Sequence, residues 1–311
     1  MKDWIKTIKR YLKPNQQKDE LPTLKVERLI INTSNYVQQI KFYEQYLGLV
    51  ILQENSMHTI LGNHFDQAPL IQLNKSNHSK EKNVNTFLHH FGLSVTDEQS
   101  LQLITKHLIE NKVIIHGTQD DERVKGIYVR DRDEQLIFIF YFKTKASVQV
   151  VPPRIFREGE WFEFSLQNWL QHLVLGHFNL KDAQYYQINH LHYSVPELDE
   201  NRSNFFWDQS LSVKEHESFH VRSQLFINHN LFVQVTANFD HSGQGQSFHA
   251  IKPVLLYNTL DCLRVVNEKF SELEIEHTSD IGIITCKDAF GFEYDIKSAD
   301  LHYLKKANLH D

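Results

Sequence analysis

The pattern of apolar and polar positions repeats four times along the chain, each time as a strand, a helix and further strands. The four first strands are "VERLII", "LHHFGLSV", "INHLHYSV" and "IKPVLLY", and apolar residues at helical spacing follow each one. The closing strands alternate or are wholly apolar, as in "LIFIFYF" at 136–142. One curved sheet cannot cover its own apolar face, so such modules should pair. The sequence therefore predicts an α+β protein in which four βαβββ modules form curved, incomplete, barrel-like sheets.

The helix of the first module and that of the third share a finer pattern. An aromatic pair and a leucine recur at equal spacing: Phe42, Tyr43 and Leu47 in the first module, and Phe206, Trp207 and Leu211 in the third. This similarity suggests a duplication. In the second module, Thr96 or Asp97 is the expected helix cap.

Four regions follow from this pattern. Residues 1–22 form a basic amphipathic extension, and residues 23–142 contain modules one and two. Residues 143–186 form a connector with a helix at "SLQNWLQHLVL", and residues 187–311 contain modules three and four. The aromatic-rich stretch "IFREGEWFEF" indicates that the connector is packed and is not a flexible linker.

Composition narrows the class of protein. The 311 residues include 33 Lys and Arg against 39 Asp and Glu, so the net charge of -6 disfavours binding to nucleic acid. Two cysteines without a C-x-x-C motif indicate neither a thiolate zinc site nor a disulfide framework, which favours a reducing, cytoplasmic setting. The 19 histidines raise the expectation of metal or proton chemistry.

Membrane contact and assembly are open at this stage. No apolar run reaches the roughly 18 residues of a membrane span. Residues 1–13, "MKDWIKTIKRYLK", could lie on a membrane or partner surface as a basic amphipathic helix. Packing against the body of the protein, or a mobile extension, is the favoured interpretation. A monomer or a homodimer is expected.

The repeat, the helix end "FYEQYLGL" and the strands "LHHFGLSV" and "NHLHYSV" together resemble the vicinal oxygen chelate superfamily of glyoxalases, bleomycin-resistance proteins and extradiol dioxygenases. More narrowly, residues 24–298 resemble the four-module catechol 2,3-dioxygenase-like proteins of bacteria. The resemblance implies the glyoxalase/dioxygenase fold. It also implies a divalent metal, Fe(II), Mn(II) or Zn(II), that is chelated by two neighbouring oxygens of a small catechol- or glyoxal-like substrate.

The four first strands can be compared at one position. Alignment of these strands places a cation, two histidines and a cation at equivalent sites: Arg28, His90, His190 and Lys252. Histidine at this position provides metal ligands in the superfamily, whereas Arg and Lys are poor ligands. The resemblance therefore implies a metal between modules two and three. Modules one and four would then form the other pair, or support the first, without a metal of their own. It also implies a third imidazole from His229, in the strand "INHNLFVQV".

Two departures from the superfamily pattern bear on this site. Phe138 stands where the carboxylate ligand is usual, which leaves a neutral site of three histidines and places Phe138 in the substrate pocket. Asp121 stands where a histidine is usual. Asp121 is either an additional ligand or base, or a solvated turn residue, and the turn role is the favoured interpretation.

Other residues have two interpretations each. His192 shares a strand face with His190, so it could support a ligand, act as a general base or simply pack. Tyr128 could donate to a bound oxyanion or fill the core. Glu293 and Asp295 in "FEYDI" share a face, and they are expected to form ion pairs with the cations Lys252 and Arg28 in place of a metal site.

Two functions remain open. The first is a metal-dependent enzyme, either an extradiol, ring-cleaving dioxygenase or a glyoxalase-type lyase or isomerase. The second is a non-catalytic protein of the bleomycin-resistance type that sequesters an apolar or aromatic small molecule and has lost the metal carboxylate.

Overall fold

The computed structural model describes residues 23–76, 87–121, 123–143, 161–171, 180–195, 197–219, 223–228, 231–237, 251–280, 282–288 and 290–300. The predicted N-terminal helix within residues 1–22 and the predicted ligand His229 lie outside these ranges.

Each module has the predicted order of elements. The first contains β1 (Leu24–Thr33), α1 (Tyr36–Lys41), which continues as a π-helical segment (Phe42–Tyr46), β2 (Val50–Glu54), β3 (His58–Gly62) and β4 (Pro69–Lys75). The second contains β5 (Phe87–Ser94), α2 (Glu98–Glu110), β6 (Ile115–Asp120), β7 (Val124–Arg130) and β8 (Leu136–Phe142). Asp97 is the cap of α2, because its Oδ1 accepts a hydrogen bond from the Ser100 amide at 2.8 Å.

The second half of the chain repeats this order after the connector. The connector contributes β9 (Trp161–Phe162), α3 (Leu166–Gln171) and α4 (Leu180–Ala183). The third module contains β10 (Gln187–Val195), α5 (Glu200–Asn204) with a π-helical segment (Phe205–Ser210), β11 (Lys214–Phe219), β12 (Ser223–Asn228) and β13 (Leu231–Ala237). The fourth contains β14 (Ile251–Tyr257), α6 (Leu260–Glu272), β15 (His277–Asp280), β16 (Ile283–Lys287) and β17 (Glu293–Ser298).

The helices support the suggested duplication. Modules one and three both change from an α-helix to a π-helical segment at the aromatic pair found in the sequence. The residue after the shared leucine has a positive φ in both modules, 71° at Gly48 and 58° at Ser212. Glycine adopts this conformation without steric cost, whereas Ser212 adopts it against the usual preference.

The modules pair across the two halves of the chain. Modules two and three form a nine-stranded sheet with the order β11-β12-β13-β10-β5-β8-β7-β6-β9. Modules one and four form an eight-stranded sheet with the order β15-β16-β17-β14-β1-β4-β3-β2. This is the pairing that the histidine pattern predicted, and neither sheet closes on itself in the described part of the chain. Each sheet takes one module from each side of the connector.

The centre of each sheet is built in the same way. The two first strands pair antiparallel, β5 with β10 and β1 with β14. Each first strand also runs parallel to the last strand of its own module. A main apolar core contains residues of both sheets and of α2 and α6. Alternation within each strand therefore directs its other side chains to the opposite face of the sheet.

Candidate functional site

The antiparallel pair β5–β10 brings the predicted histidines together. His90 lies directly opposite His192, and His190 lies directly opposite Gly92. The rings of His90 and His190 are stacked, with centroids 4.9 Å apart and planes at 4° to each other. The rings of His90 and His192 meet edge to face at 4.8 Å. These three histidines therefore share one concave face at the centre of the nine-stranded sheet.

A fourth histidine joins them because strand β5 contains a bulge. His192 pairs with His90 and Tyr193 pairs with Leu88, so His89 is the extra residue. A bulge interrupts the regular alternation of faces. The Nδ1 atoms of His89 and His90 lie 2.9 Å apart. The Gln135 side-chain amide supports this segment by donating to the carbonyl oxygen of His89 at 3.1 Å.

Three members of this histidine cluster (His89, His90, His190 and His192) could hold a metal ion. One ligand atom each from His89, His90 and His192 lies within 4.8 Å of the others. His192 Nε2 is paired with Thr236 Oγ1 at 2.9 Å, whereas His192 Nδ1 is buried without a hydrogen-bond partner among the described residues. His190 Nε2 is likewise buried and unpartnered there. Buried polar atoms normally have partners, so these two nitrogens indicate that something else completes the site.

All four imidazoles favour the neutral form. Burial lowers the pKa of His89 to about 4, with a further contribution from Arg130. Burial also lowers the pKa of His190 to about 4, assisted by His89. The pKa values of His90 and His192 lie well below the ordinary value, first because of burial and then because of the neighbouring histidines. Neutral imidazole is the form that binds a metal.

An aromatic wall stands beside the cluster. The rings of Tyr128 and Phe138 are stacked at 4.5 Å, and those of Phe138 and Phe140 at 4.8 Å. The ring of Tyr128 also meets the ring of His90 edge to face, with centroids 5.6 Å apart. With Leu136, these three aromatic residues form a buried apolar group separate from the main core.

Tyr128 and Asp121, which the sequence analysis considered as site residues, both form hydrogen bonds within module two. The Tyr128 hydroxyl donates to Gln119 Oε1 at 2.6 Å, and burial raises the pKa of Tyr128 well above its ordinary value. Asp121 Oδ1 accepts from the amides of Arg123 and Val124 at 2.9 Å each, and its Oδ2 accepts from the Gln119 side chain. These hydrogen bonds hold Asp121 in the turn between β6 and β7.

The last strands place no carboxylate beside the histidines. Phe138 lies beside Gly92 across β5–β8, and Gln234 lies beside His192 across β10–β13. The two positions are equivalent, so neither module supplies an anionic ligand there. Gln234 and His89 were missed from the sequence. The sequence repeat could have identified Gln234, because Gln234 is equivalent to Phe138. The bulge that brings His89 to the cluster has no clear signal in the sequence.

The donor set fits a divalent metal with nitrogen ligands. Several neutral imidazoles, two of them with orphaned nitrogens, form a site of the kind that Zn(II), Fe(II) or Mn(II) accepts. The set does not fit the usual site of two histidines and one carboxylate. Among the described residues, the ligands of this cluster are neutral imidazoles.

The eight-stranded sheet has charged residues at the positions of this site. Arg28 lies opposite Val254 and Ile30 lies opposite Lys252, which is the register of His190 with Gly92 and of His192 with His90. The last strands follow the same register. The equivalent residues in the two sheets are thus Lys252, Arg28, Asp295 and Gln72 in one, and His90, His190, Phe138 and Gln234 in the other.

The expected ion pairing on this sheet is confirmed in one case and wrong in the other. Lys252 Nζ lies 2.7 Å from Asp295 Oδ1. Arg28 instead pairs with Glu27 at 2.7 Å, and Glu293 pairs with Lys287 at 3.3 Å. The difference arises because Glu27 is the extra residue of a bulge in β1, which the sequence pattern did not show.

Comparison with solved structures supports the fold. A Bacillus subtilis protein described as a "putative dioxygenase" matches with a TM-score of 0.62 at 10% identity, over 90% of this chain and 86% of that one. Glyoxalase I from Zea mays matches with a TM-score of 0.57 at 12% identity, over 93% of this chain and 96% of that one. No protein-family model matches the sequence, and no curated protein matches it significantly.

These likenesses confirm the predicted glyoxalase/dioxygenase fold, which is the fold of the vicinal oxygen chelate superfamily. At 10–12% identity they establish the fold alone. In the described part of the chain, no helix is long and apolar enough to cross a membrane.

Proposed function

We propose that this protein binds a divalent transition metal in the histidine cluster and acts on a small molecule that chelates the metal through two neighbouring oxygens. The observation that carries the proposal is the convergence of ligand atoms from His89, His90 and His192 within 4.8 Å. Their lowered pKa values support it, because the ligands need no deprotonation at neutral pH.

Individual residues would have separate roles in this site. His90 would be the central ligand, and His89 and His192 would complete a group of three imidazoles. His190, which the sequence also proposed as a ligand, would offer its unpartnered Nε2 from the opposite strand. His229 keeps its proposed ligand role from the sequence, outside the described residues. When bound, the metal would supply Lewis-acid polarisation of the chelated oxygens.

The aromatic wall would hold the apolar part of the substrate. Phe138 and Phe140 would line the pocket and exclude water, which strengthens electrostatic interactions inside it. Tyr128 would shape the wall and remain a neutral phenol, because its proton is already donated to Gln119. His192 Nδ1, proposed as a general base, is also the atom available to a metal, so the geometry favours the ligand role.

Elemental analysis of purified protein tests the metal assignment. We expect about one transition metal per chain in the wild type, and a loss of at least tenfold in the His89→Ala, His90→Ala double variant. His58→Ala is the matched control, because His58 lies on β3 of the other sheet. Equal metal content in all three proteins would refute the proposal.

Cobalt spectroscopy provides a second readout in case the double variant is unstable. The single variants His90→Gln and His192→Gln retain side chains of similar volume. Addition of Co(II) to wild-type protein should give visible absorption bands typical of nitrogen coordination, and each single variant should weaken or shift them. Spectra unchanged in both variants would exclude these two histidines as ligands.

The alternative function is sequestration of an apolar or aromatic molecule without catalysis. The buried stack of Tyr128, Phe138 and Phe140 favours it, because Phe138 occupies the position of the usual carboxylate. Native mass spectrometry separates the two functions. An organic molecule retained without any metal would support sequestration, whereas a retained metal would support the first proposal.

A further inference from the structure

We propose that the eight-stranded sheet holds a second, metal-free site, which binds the carboxylate or phosphate group of a small molecule between Arg28 and Lys252. These two cations occupy the positions of His190 and His90 in the other sheet. The proposal is independent of the metal site, because it involves modules one and four only.

Arg28 and Lys252 are diagonal neighbours across the antiparallel pair β1–β14. In the equivalent positions, the rings of His90 and His190 have centroids 4.9 Å apart. Side chains on such cross-strand diagonals are typically about 7–8 Å apart at the backbone, and long side chains can reach across that distance. One oxyanion group can therefore contact both cations.

Neighbouring side chains contact both Arg28 and Lys252, but some hydrogen-bond donors of each cation have no partner among the described residues. Arg28 Nε donates to Gln72 Oε1 at 3.1 Å, and Arg28 Nη1 donates to Glu27 Oε2 at 2.7 Å. Arg28 Nη2 has no partner among the described residues. Lys252 Nζ contacts Asp295 alone there, so two of its three protons have no partner in that part of the chain. These remaining donors are available to a ligand that lies between the two side chains.

Partial burial makes these donors effective. The side chains of Arg28 and Lys252 are 17% and 26% exposed, so a small molecule can reach them while bulk water screens them only in part. Glu27 also serves a second cation, because Lys297 Nζ lies 3.9 Å from the same Oε2 atom. The Glu27 carboxylate is thus shared between Arg28 and Lys297.

Asp295 limits the affinity of this site for an anion. It occupies the position of Phe138 and holds the Lys252 ammonium, while Thr285 Oγ1 donates to the same Asp295 oxygen at 2.8 Å. Removing the charge of Asp295 would take away the anion that neutralises Lys252 and so raise the attraction for an added anion. Removing Arg28 would lower it. The two substitutions therefore have opposite expected effects.

Anion titration tests the proposal. Inorganic phosphate and acetate are titrated separately into the full-length protein at constant ionic strength, with chloride as the balancing salt, and binding is followed by calorimetry and by amide NMR shifts. We expect saturable binding of at least one of these anions with a dissociation constant in the millimolar range. The anion that binds more tightly identifies the group that the site accepts.

The variants decide between binding and a purely structural ion-pair network. Arg28→Gln should weaken binding at least tenfold, and Asp295→Asn should tighten it several-fold. Arg264→Gln, on the exposed face of α6, is the matched control and should leave binding unchanged. Absence of saturable binding of both anions in the wild type and in Asp295→Asn would overturn the proposal, as would equal affinity in wild type and Arg28→Gln. Metal content, measured in parallel, should be the same in all of these proteins.

Discussion

Phe138 lies directly beside Gly92 across the parallel strands β5 and β8, and this places an aromatic ring where the first and last strands of module two meet. The neighbouring rings of Tyr128 and Phe140 stack on both sides of Phe138. The missing Cβ of Gly92 leaves room for the Phe140 ring and for His190. This relationship places an apolar ring, and no charged side chain, at the last-strand position beside the histidine cluster.

Substituting Gly92 by Ala should disturb the cluster. The added Cβ would lie 2.6 Å from the Cβ of His190 and 2.8 Å from Phe140, so the strands must move apart. We expect a loss of stability of about 1–3 kcal/mol, which is typical of overpacking, and lower metal content. Chemical denaturation and elemental analysis measure the two effects.

Gly126→Ala is the matched control for this substitution. Its added Cβ would meet the Phe138 ring at 2.4 Å and a backbone oxygen at 2.7 Å, so it should also lower stability. It does not contact the histidines directly, and its metal content should stay close to that of the wild type. Equal losses of metal in both variants would contradict the assigned role of His190.

Substituting Phe138 by Glu should restore a carboxylate at the last-strand position. Without metal, the variant should be less stable by several kcal/mol, because a carboxylate replaces a ring inside an apolar wall. With metal, the new anion would reduce the charge at the ion and strengthen its binding. We therefore expect added Zn(II) or Mn(II) to raise the Tm more in Phe138→Glu than in the wild type.

Phe140→Glu tests whether position matters. It places the same charge in the same aromatic wall, two residues further along β8 and beside Ser94. This variant should lose stability without gaining a larger metal-induced increase in Tm. A similar metal response in both glutamate variants would show that the effect is non-specific.

A buried carboxyl in module four should make the stability of the protein depend on pH. Burial raises the pKa of Asp288 from 3.8 to about 7, although hydrogen bonds from Phe290, Phe292 and Tyr294 oppose the change. The folded state therefore retains a proton that the unfolded chain releases near pH 4. This stabilisation is complete below pH 4 and is lost as the pH rises through 7, at up to about 1.4 kcal/mol per pH unit.

Asp288→Asn should remove this part of the pH dependence, because the amide does not titrate. Denaturant unfolding from pH 4 to pH 8 measures the effect. Asp131, whose pKa burial raises to about 6, should leave a smaller slope in the variant. The control is Asp261→Asn, an exposed carboxylate on α6, which should keep the wild-type slope. A wild-type slope in Asp288→Asn would contradict the interpretation.

Much of the fold follows from local patterns. The strand and helix periods of the four modules and the equivalence of Arg28, His90, His190 and Lys252 were all correct, because side-chain alternation and helical spacing are properties of the local chain. The duplicated aromatic pair likewise predicted similar helices in modules one and three. The histidines at the equivalent positions of modules two and three, His90 and His190, predicted that these two modules pair.

Other features depend on contacts between strands far apart in sequence. A regular strand would turn His89 away from His90, and only the bulge against β10 brings their nitrogens to 2.9 Å. The pairing of Arg28 with Glu27 depends on a similar bulge against β14. Bulges arise where two strands pair unequally, so one strand read alone does not reveal them.

The sequence by itself thus determined the modules, their order and the identity of the residues at the centre of each sheet. The tertiary structure decided which of these residues meet, that the ligand atoms of three imidazoles converge while four imidazoles are desolvated, and that cations hold the corresponding positions of the other sheet. The physical reason is that alternation and spacing are local, whereas register, bulges and burial exist only once distant strands have paired.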